Sequence, residues 1–477
     1  MLARNAFYVL LGQSISTALA FVLNAALGRT LGPADFGVYF VLISMATAAY
    51  VVVDWGQNAV LLRETARRAD IASPLLGSVL AIRVVASGAL VVLTACFARL
   101  FGYEPRIQVL AALAIVCAFP LALSTAYSCA FRARNRMDLD AHVMVWSKAL
   151  TVAATLAALA LGGRLESVFF AQAVGGGGAL ALAVLLWQRF ALQTPRPNWA
   201  AVRELLDQGT PIAFFMIAVA AQPYIDAIVL SKLAPAAVVG YYGAARNIVG
   251  VLITPAIIVS IAAFPQMAHA AFNPIELHRI VRIALRPTLL LGALAAVGCY
   301  LFADFAVDLI YGASHFRPSV EVLEFYAPVF LILFFNMLLG NVVISIRRSR
   351  EMAFAKFGNI LVSTILALFL VPVFQARWDN GGLGIVVAIG AGELLMFIFF
   401  AAVLPPGTLD KETLLDTARA LLAGFGTLVL FWMLPPLSPW LGIPLCIIVF
   451  GVLALSVGLV RRAELTEFSD FLKESER

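Results

Sequence analysis

Two arginines, Arg83 and Arg246, lie near the middle of long apolar stretches of the sequence. A charged side chain in such a stretch is costly and usually marks a binding site or a pathway. The planar guanidinium donates paired hydrogen bonds that fit the oxygens of a phosphate group. We therefore favour phosphate binding by both arginines. The alternative is an internal salt bridge, for example between Asp226 and Arg246.

Other polar side chains recur within the apolar stretches, several at the spacing that places them on one helical face. An interhelical hydrogen bond explains a single Asn or Gln, but polar residues in so many stretches indicate a hydrated cavity. The residues predicted to line it are Arg246, Arg83, Asp226, Asp54, Gln222, Asn24, Gln13, Asn247 and Arg29. The acidic residues that could couple transport to an ion are Asp54, Asp226 and Glu393.

The composition places these residues in a membrane. The chain of 477 residues is 62% hydrophobic and only 13% charged, with a mean hydropathy of +0.96. Soluble proteins carry about a quarter charged residues, so a soluble enzyme, a disordered chain and a nucleic-acid-binding protein are excluded. The five cysteines and four histidines form no ligand set, and the Gly-rich phosphate loop of an ATPase is missing. We predict a transporter, not an enzyme, with no cofactor and no metal.

A helix needs about 20 apolar residues to cross the bilayer, and the sequence has fourteen such runs. Lysine and arginine are distributed unevenly between the two sides: 24 on one side, Lys148 among them, and seven on the other. Because positive residues favour the cytoplasm, both termini are predicted to be cytoplasmic. The predicted spans are 6–28, 36–58, 74–100, 107–130, 142–162, 166–188, 209–230, 237–265, 283–303, 322–345, 352–374, 382–404, 413–434 and 439–460.

Segments 27–45 and 230–248 each combine a basic residue, a Pro-Ala pair and a Gly followed by aromatics. If they are copies of one unit, two six-helix lobes share an orientation and are related by a parallel pseudo-two-fold axis. We thus predict an all-α polytopic membrane protein with about 14 transmembrane helices. Its parts are an N-lobe (1–195), a cytoplasmic amphipathic linker helix (196–208), a C-lobe (209–405), two extra C-terminal helices (406–460) and a cytoplasmic tail (461–477).

Four consecutive glycines occupy positions 175–178, inside the sixth predicted span. A phosphate-binding loop would need a preceding strand, which the apolar run does not provide. Close packing of neighbouring helices, or a flexible point in the span, is the better interpretation.

Four stretches of the sequence carry a resemblance to a known family: 27–67, 209–250, 310–323 and 380–389. The first reads LGRTLGPADFGVYFVLISMATAAYVVVDWGQNAVLLRETAR and the second reads GTPIAFFMIAVAAQPYIDAIVLSKLAPAAVVGYYGAARNIVG. These stretches resemble the bacterial polysaccharide exporters, the lipid-linked oligosaccharide flippases of the O-antigen type. Those exporters belong to the multidrug/oligosaccharidyl-lipid/polysaccharide exporter superfamily. The resemblance implies two six-helix lobes that work by alternating access.

In the related lipid II flippases an arginine early in the eighth span lines a cationic cavity. Arg246, in YYGAARN, resembles that residue, and Arg29 resembles the arginine of their first loop. Their doubly basic pattern within the first span is missing here. This difference favours a polysaccharide repeat unit over lipid II as the substrate.

The resemblance implies a flippase that moves undecaprenyl-diphosphate-linked oligosaccharide from the cytoplasmic to the periplasmic leaflet of a bacterial inner membrane. Its partners would be that lipid-linked substrate, the bilayer, and a polysaccharide polymerase with its chain-length machinery. A cation-coupled multidrug antiporter of the same superfamily and a lipid II flippase are the alternatives. A membrane glycosyltransferase or polymerase would need a large catalytic loop, and no connection here exceeds about 20 residues.

Overall fold

The computed structural model describes residues 2–68, 71–190, 194–312 and 315–459. These ranges form fifteen α-helices and contain no strand, which confirms the predicted all-α class. The helices are α1 Leu2–Asp54, α2 Gln57–Arg67, α3 Ala72–Leu100, α4 Pro105–Ala133, α5 Met137–Ala160, α6 Leu165–Arg189, α7 Trp199–Leu233, α8 Ala236–Ala270, α9 Pro274–Leu301, α10 Ala303–Tyr311, α11 Pro318–Ser345, α12 Ser349–Trp378, α13 Gly381–Val403, α14 Lys411–Met433 and α15 Pro439–Ser456.

Twelve helices in the described ranges are long and apolar enough to cross a membrane. Lipid supplies no hydrogen-bond partner for the backbone, so each crossing segment must satisfy its own peptide groups as a helix. Helix α1 covers the first two predicted spans. They are separated at Gly32, whose φ of 73° lies in the region that favours glycine. The chain is thus a multi-pass membrane protein.

Helix α7 covers the seventh predicted span and starts at Trp199, within the segment predicted as a separate linker helix. The amphipathic segment and the span therefore form one continuous helix. The predicted tail, 461–477, lies outside the described residues.

The chain divides into two compact units, Met1–Ser231 and Lys232–Arg477. In the first unit α3 packs on α4, α4 on α6, and α5 on α6. In the second unit α9 packs on α11, α11 on α13, and α12 on α13. In the numbering of the predicted spans, the pairs of the first unit are the third with the fourth, the fourth with the sixth and the fifth with the sixth. The pairs of the second unit are the same three, six spans later. This repetition supports an internal duplication, and the lobe boundaries stay a prediction.

The glycine run lies in α6, and two of its residues are in close contact with neighbouring helices. A Cβ at Gly175 would overlap the side chain of Thr151 in α5, and one at Gly176 would lie 2.9 Å from the backbone nitrogen of Leu121 in α4. Larger residues at these two positions would force the helices apart. The predicted close packing is confirmed.

The start of α7 is fastened to the junction of α1 and α2. Trp55 Nε1 donates a hydrogen bond of 3.1 Å to Thr210 Oγ1, and Arg63 donates to the side chain of Gln208. A Cβ at Gly209 would lie only 2.6 Å from the Trp55 carbonyl oxygen. Glycine is required here because the two backbones are in close approach.

In the second unit, a row of ion pairs joins α9 to the beginning of α14. Arg282 pairs with Glu412, and one turn further Arg286 Nε lies 2.7 Å from Asp416 Oδ2. The Arg286–Asp416 pair is buried, and Arg419 Nη1 adds a second bond to Asp416 at 2.8 Å. This row ties the helix after the twelfth span to the rest of the unit.

Asp410 caps the N-terminus of α14, where its carboxylate accepts a hydrogen bond of 2.8 Å from the Thr413 backbone N–H. Partial burial acts to raise the pKa of this carboxyl group. The bonds from Thr413 and the charges of His278 and Arg282 outweigh that effect and hold the pKa below its usual range.

The substitution Asp416→Asn is expected to destabilise the protein by about 3–5 kcal/mol, because it removes the carboxylate charge that pairs with the buried Arg286 guanidinium. The matched control is Glu412→Gln, one turn earlier on α14, whose ion pair is half exposed. That change should cost about 0–1 kcal/mol. Thermal unfolding of both variants in detergent provides the measurement. Equal decreases in Tm for the two variants would contradict the expectation that the buried ion pair contributes more stability than the exposed one.

Candidate functional site

Arg83 is buried in α3, with only 2% of its surface exposed. Its Nη2 donates to Asp54 Oδ1 at 2.5 Å and to Asn58 Oδ1 at 3.0 Å. Its Nη1 donates to the Ala122 carbonyl oxygen at 2.5 Å and to Thr125 Oγ1 at 2.8 Å. The guanidinium thus connects α1, α2, α3 and α4.

The break between α1 and α2 creates this arrangement. Trp55 and Gly56 both have positive φ, at 42° and 71°, so the chain bends between the two helices. Asp54 precedes the bend and Asn58 follows it, which lets both side chains reach one guanidinium. The thiol of Cys129 in α4 donates to the Asn58 carbonyl oxygen at 3.0 Å and fastens the bend.

The structure therefore brings together two residues that the sequence analysis considered separately for phosphate binding and for ion coupling. The charges of Arg83 and Asp54 compensate each other. The Asp54 side chain is 27% exposed and that of Arg83 only 3%, so the exposed part of this pair is the carboxylate. Arg83 fits the salt-bridge alternative better than an open phosphate site.

Glu393 lies buried in α13 between two amide side chains. Asn336 Nδ2 donates to its Oε2 at 2.8 Å, and Asn359 Nδ2 donates to its Oε1 at 2.9 Å. The amide oxygens of both asparagines are buried without a donor among the described residues. A buried carboxyl group whose described side-chain partners are neutral amides is suited to hold a proton or a small cation. Within the described ranges, no three His, Cys, Asp or Glu side chains group as metal ligands.

Arg246 and Asn247 lie half-buried on α8 in the second unit. Asn247 Nδ2 lies 3.5 Å from the hydroxyl of Tyr311, which itself donates to the Ala244 carbonyl oxygen at 3.4 Å. Asp226 belongs to the first unit. Its predicted pairing with Arg246 stays a prediction.

The three residues of α1 that were predicted to line the cavity differ in their exposure. Gln13 and Arg29 are exposed, whereas Asn24 is half-buried and donates to the Ala20 carbonyl oxygen of its own helix at 2.9 Å. The side chain of Gln222 lies outside the described side chains.

Sequence reasoning missed the partners of the buried charges. Asn58, Thr125 and Asn359 are ordinary polar residues in apolar runs, and only the packing of distant segments gives them roles. The sequence analysis counted Lys148 with the positive residues on the cytoplasmic side of the fifth predicted span, 142–162. In the structure α5 starts five residues before that span, at Met137. The helical first-turn acids Asp138 and Asp140 were the available signal for that earlier start.

Replacing Arg83 by Met and Asp54 by Asn, singly and together, tests whether they act as a pair. Each single change leaves one uncompensated charge, so the double variant should be more stable than the sum of the single losses predicts. The expected interaction energy is about 1–3 kcal/mol. Thermal unfolding of the four proteins in detergent measures it, with Thr94→Val, a buried change on the same helix, as a control. Strictly additive losses would contradict the pairing.

Residues 2–271 match the family described as "Polysaccharide biosynthesis protein". A stretch of 146 residues is 30% identical to Stage V sporulation protein B of Bacillus subtilis (strain 168). That stretch is 30% of this chain and spans 27% of the length of the relative.

Two groups of solved structures share the fold. The lipid II flippase MurJ, in an inward closed conformation, superimposes with a TM-score of 0.75 over 95% of this chain and 98% of its own, at 13% identity. An inward-facing multidrug resistance MATE family transporter of the MOP superfamily gives 0.68 over 82% and 96%, at 14% identity. At these identities the likeness concerns the fold alone. Since the family match covers more than half of the residues, the chain belongs to the polysaccharide biosynthesis protein family.

Proposed function

We propose that the protein is a flippase for undecaprenyl-diphosphate-linked oligosaccharide. It moves a polysaccharide repeat unit from the cytoplasmic to the periplasmic leaflet of a bacterial inner membrane by alternating access, with both termini in the cytoplasm. The observation that carries the proposal is the family match over residues 2–271. Together with the multi-pass fold of the flippases and transporters, it favours transport of a polysaccharide precursor over its synthesis.

The charged residues within the helices support a polar, charged head group as the cargo. A guanidinium donates paired, charge-assisted hydrogen bonds to the oxygens of a diphosphate. Arg83 is buried and bound to Asp54. Arg246, half-buried in α8, is our choice for the diphosphate ligand, and the polyprenyl tail stays in the lipid.

Two alternatives use the same fold. A lipid II flippase would carry the same diphosphate with a different sugar-peptide head, so the diphosphate ligand does not separate it from our proposal. A drug antiporter would need an ion-binding acid, and Glu393 is the acid best placed for it, since its described partners are neutral amides. Glu393 also suits an ion-coupled oligosaccharide flippase.

Deletion of the gene, followed by analysis of lipid-linked sugars, separates the three. We expect undecaprenyl-diphosphate-linked repeat units to accumulate and surface polysaccharide to be lost. Expression of the intact gene from a plasmid should restore both. Accumulated lipid II would instead assign the protein to peptidoglycan synthesis. An unchanged sugar pool with lost drug resistance would assign it to drug export.

Arg246→Ala is expected to reduce polysaccharide export roughly tenfold or more, because a charge-assisted bond to the diphosphate is lost. Arg246→Lys should restore export only in part, since an ammonium lacks the paired donors of a guanidinium. Arg317→Ala, an exposed position at the start of α11, is the control. Protein level in the membrane is measured beside export. Full export by the Ala variant would contradict the assignment.

A further inference from the structure

Lys148 lies near the middle of α5, far from either end of the helix. It is eleven residues from Met137 and twelve from Ala160. At 1.5 Å per residue these separations are about 16 Å and about 18 Å. The charge of Lys148 therefore lies away from both helix ends, on a stretch of α5 that packs within the bundle.

The side chain lies on the face of α5 that packs against other helices. Ala141, Val152 and Thr155 are buried and share this face by helical spacing. The exposed residues of α5 in this region, among them Trp146, lie on the other side of the helix. Lys148 itself is half-buried. It faces the protein rather than lipid.

The helix opposite Lys148 is α1. A Cβ at Gly12 would lie 2.9 Å from Met144 Cε and 3.1 Å from Ala141 Cβ, so α1 and α5 are in close contact one turn before Lys148. The first and fifth predicted spans start from the same side of the membrane. One turn further along both helices therefore brings Ser16 of α1 to the level of Lys148.

Both side chains lack partners among the described residues. The hydroxyl of Ser16 is buried without a hydrogen bond, and Lys148 takes part in no ion pair or hydrogen bond within the described ranges. Beside them α1 exposes Gln13 and Ser14. A buried charge is normally paired, so a lysine that meets spare hydrogen-bonding groups instead of an acid indicates a ligand.

We propose that Lys148 is a further anion-binding residue of the first unit and takes a phosphate oxygen of the translocated diphosphate, with Ser16 as an additional donor. The inference rests on the proposed function. It also adds to the sequence-based assignment, in which Arg83 and Arg29 were the predicted cations of this half. Arg83 is neutralised by Asp54, whereas Lys148 carries its charge without an acid.

Binding of farnesyl diphosphate to the purified full-length protein tests the proposal. The protein is placed in nanodiscs of zwitterionic phosphatidylcholine, so that no anionic lipid competes, and farnesol measures the contribution of the tail. Lys148→Met keeps the length and apolar character of the stem. We expect it to weaken binding of farnesyl diphosphate about tenfold or more, with farnesol unaffected. The control is Lys411→Ala, an exposed lysine at the start of α14, which should bind as the wild type does.

Thermal unfolding separates a binding role from a structural one. A ligand-binding charge without a partner strains the empty protein, so Lys148→Met should leave the Tm unchanged or raise it. Wild-type affinity in the Met variant would overturn the inference and leave the proposed function standing. A wild type that binds farnesyl diphosphate no better than farnesol would overturn both. If the Met variant loses stability, Lys148→Gln is measured in its place, with the same two outcomes.

Discussion

The hydrocarbon core of a bilayer neither solvates charge nor offers hydrogen bonds, and the packing of this protein follows from that constraint. Two arginines inside the helices are each held by a carboxylate from a different helix: Arg83 by Asp54 and Arg286 by Asp416. In both cases the bond joins helices that are distant in sequence. Charged side chains that would be costly in lipid therefore connect neighbouring helices when each is paired with an opposite charge.

Two other ionisable side chains within the helices, Glu393 and Lys148, differ from these pairs. Glu393 is surrounded by amides, which donate to its oxygens but leave its charge uncompensated. Lys148 has neither an acid nor an amide among its described contacts. The degree of compensation thus separates residues that hold the framework from residues that remain available for a proton, a cation or an anionic head group. These uncompensated groups are our candidates for the binding sites of the cargo and of a coupling ion.

The bend after Asp54 links the framework to this chemistry. Two consecutive residues with positive φ, Trp55 and Gly56, end α1 and redirect the chain into α2. The bend positions Asp54 and Asn58 on the same guanidinium, and its other side contacts the start of α7 through Trp55 and Gly209. One local conformation therefore supports both a buried ion pair and the segment that leads out of the first six spans.

The sequence by itself determined the class of the molecule. Long apolar runs predicted the membrane helices, because hydrophobic length needs no knowledge of neighbours, and the glycine run predicted close helix packing that the contact of Gly176 with Leu121 confirms. It also indicated which charges were unusual, since a mid-span Arg83 is visible from its flanking residues alone. Only the tertiary structure decided what those charges do. Asp54 neutralises Arg83 through a bend and a packing contact that no local pattern encodes, and the neighbours of Lys148 on the packed face of α5 depend on how the helices are arranged.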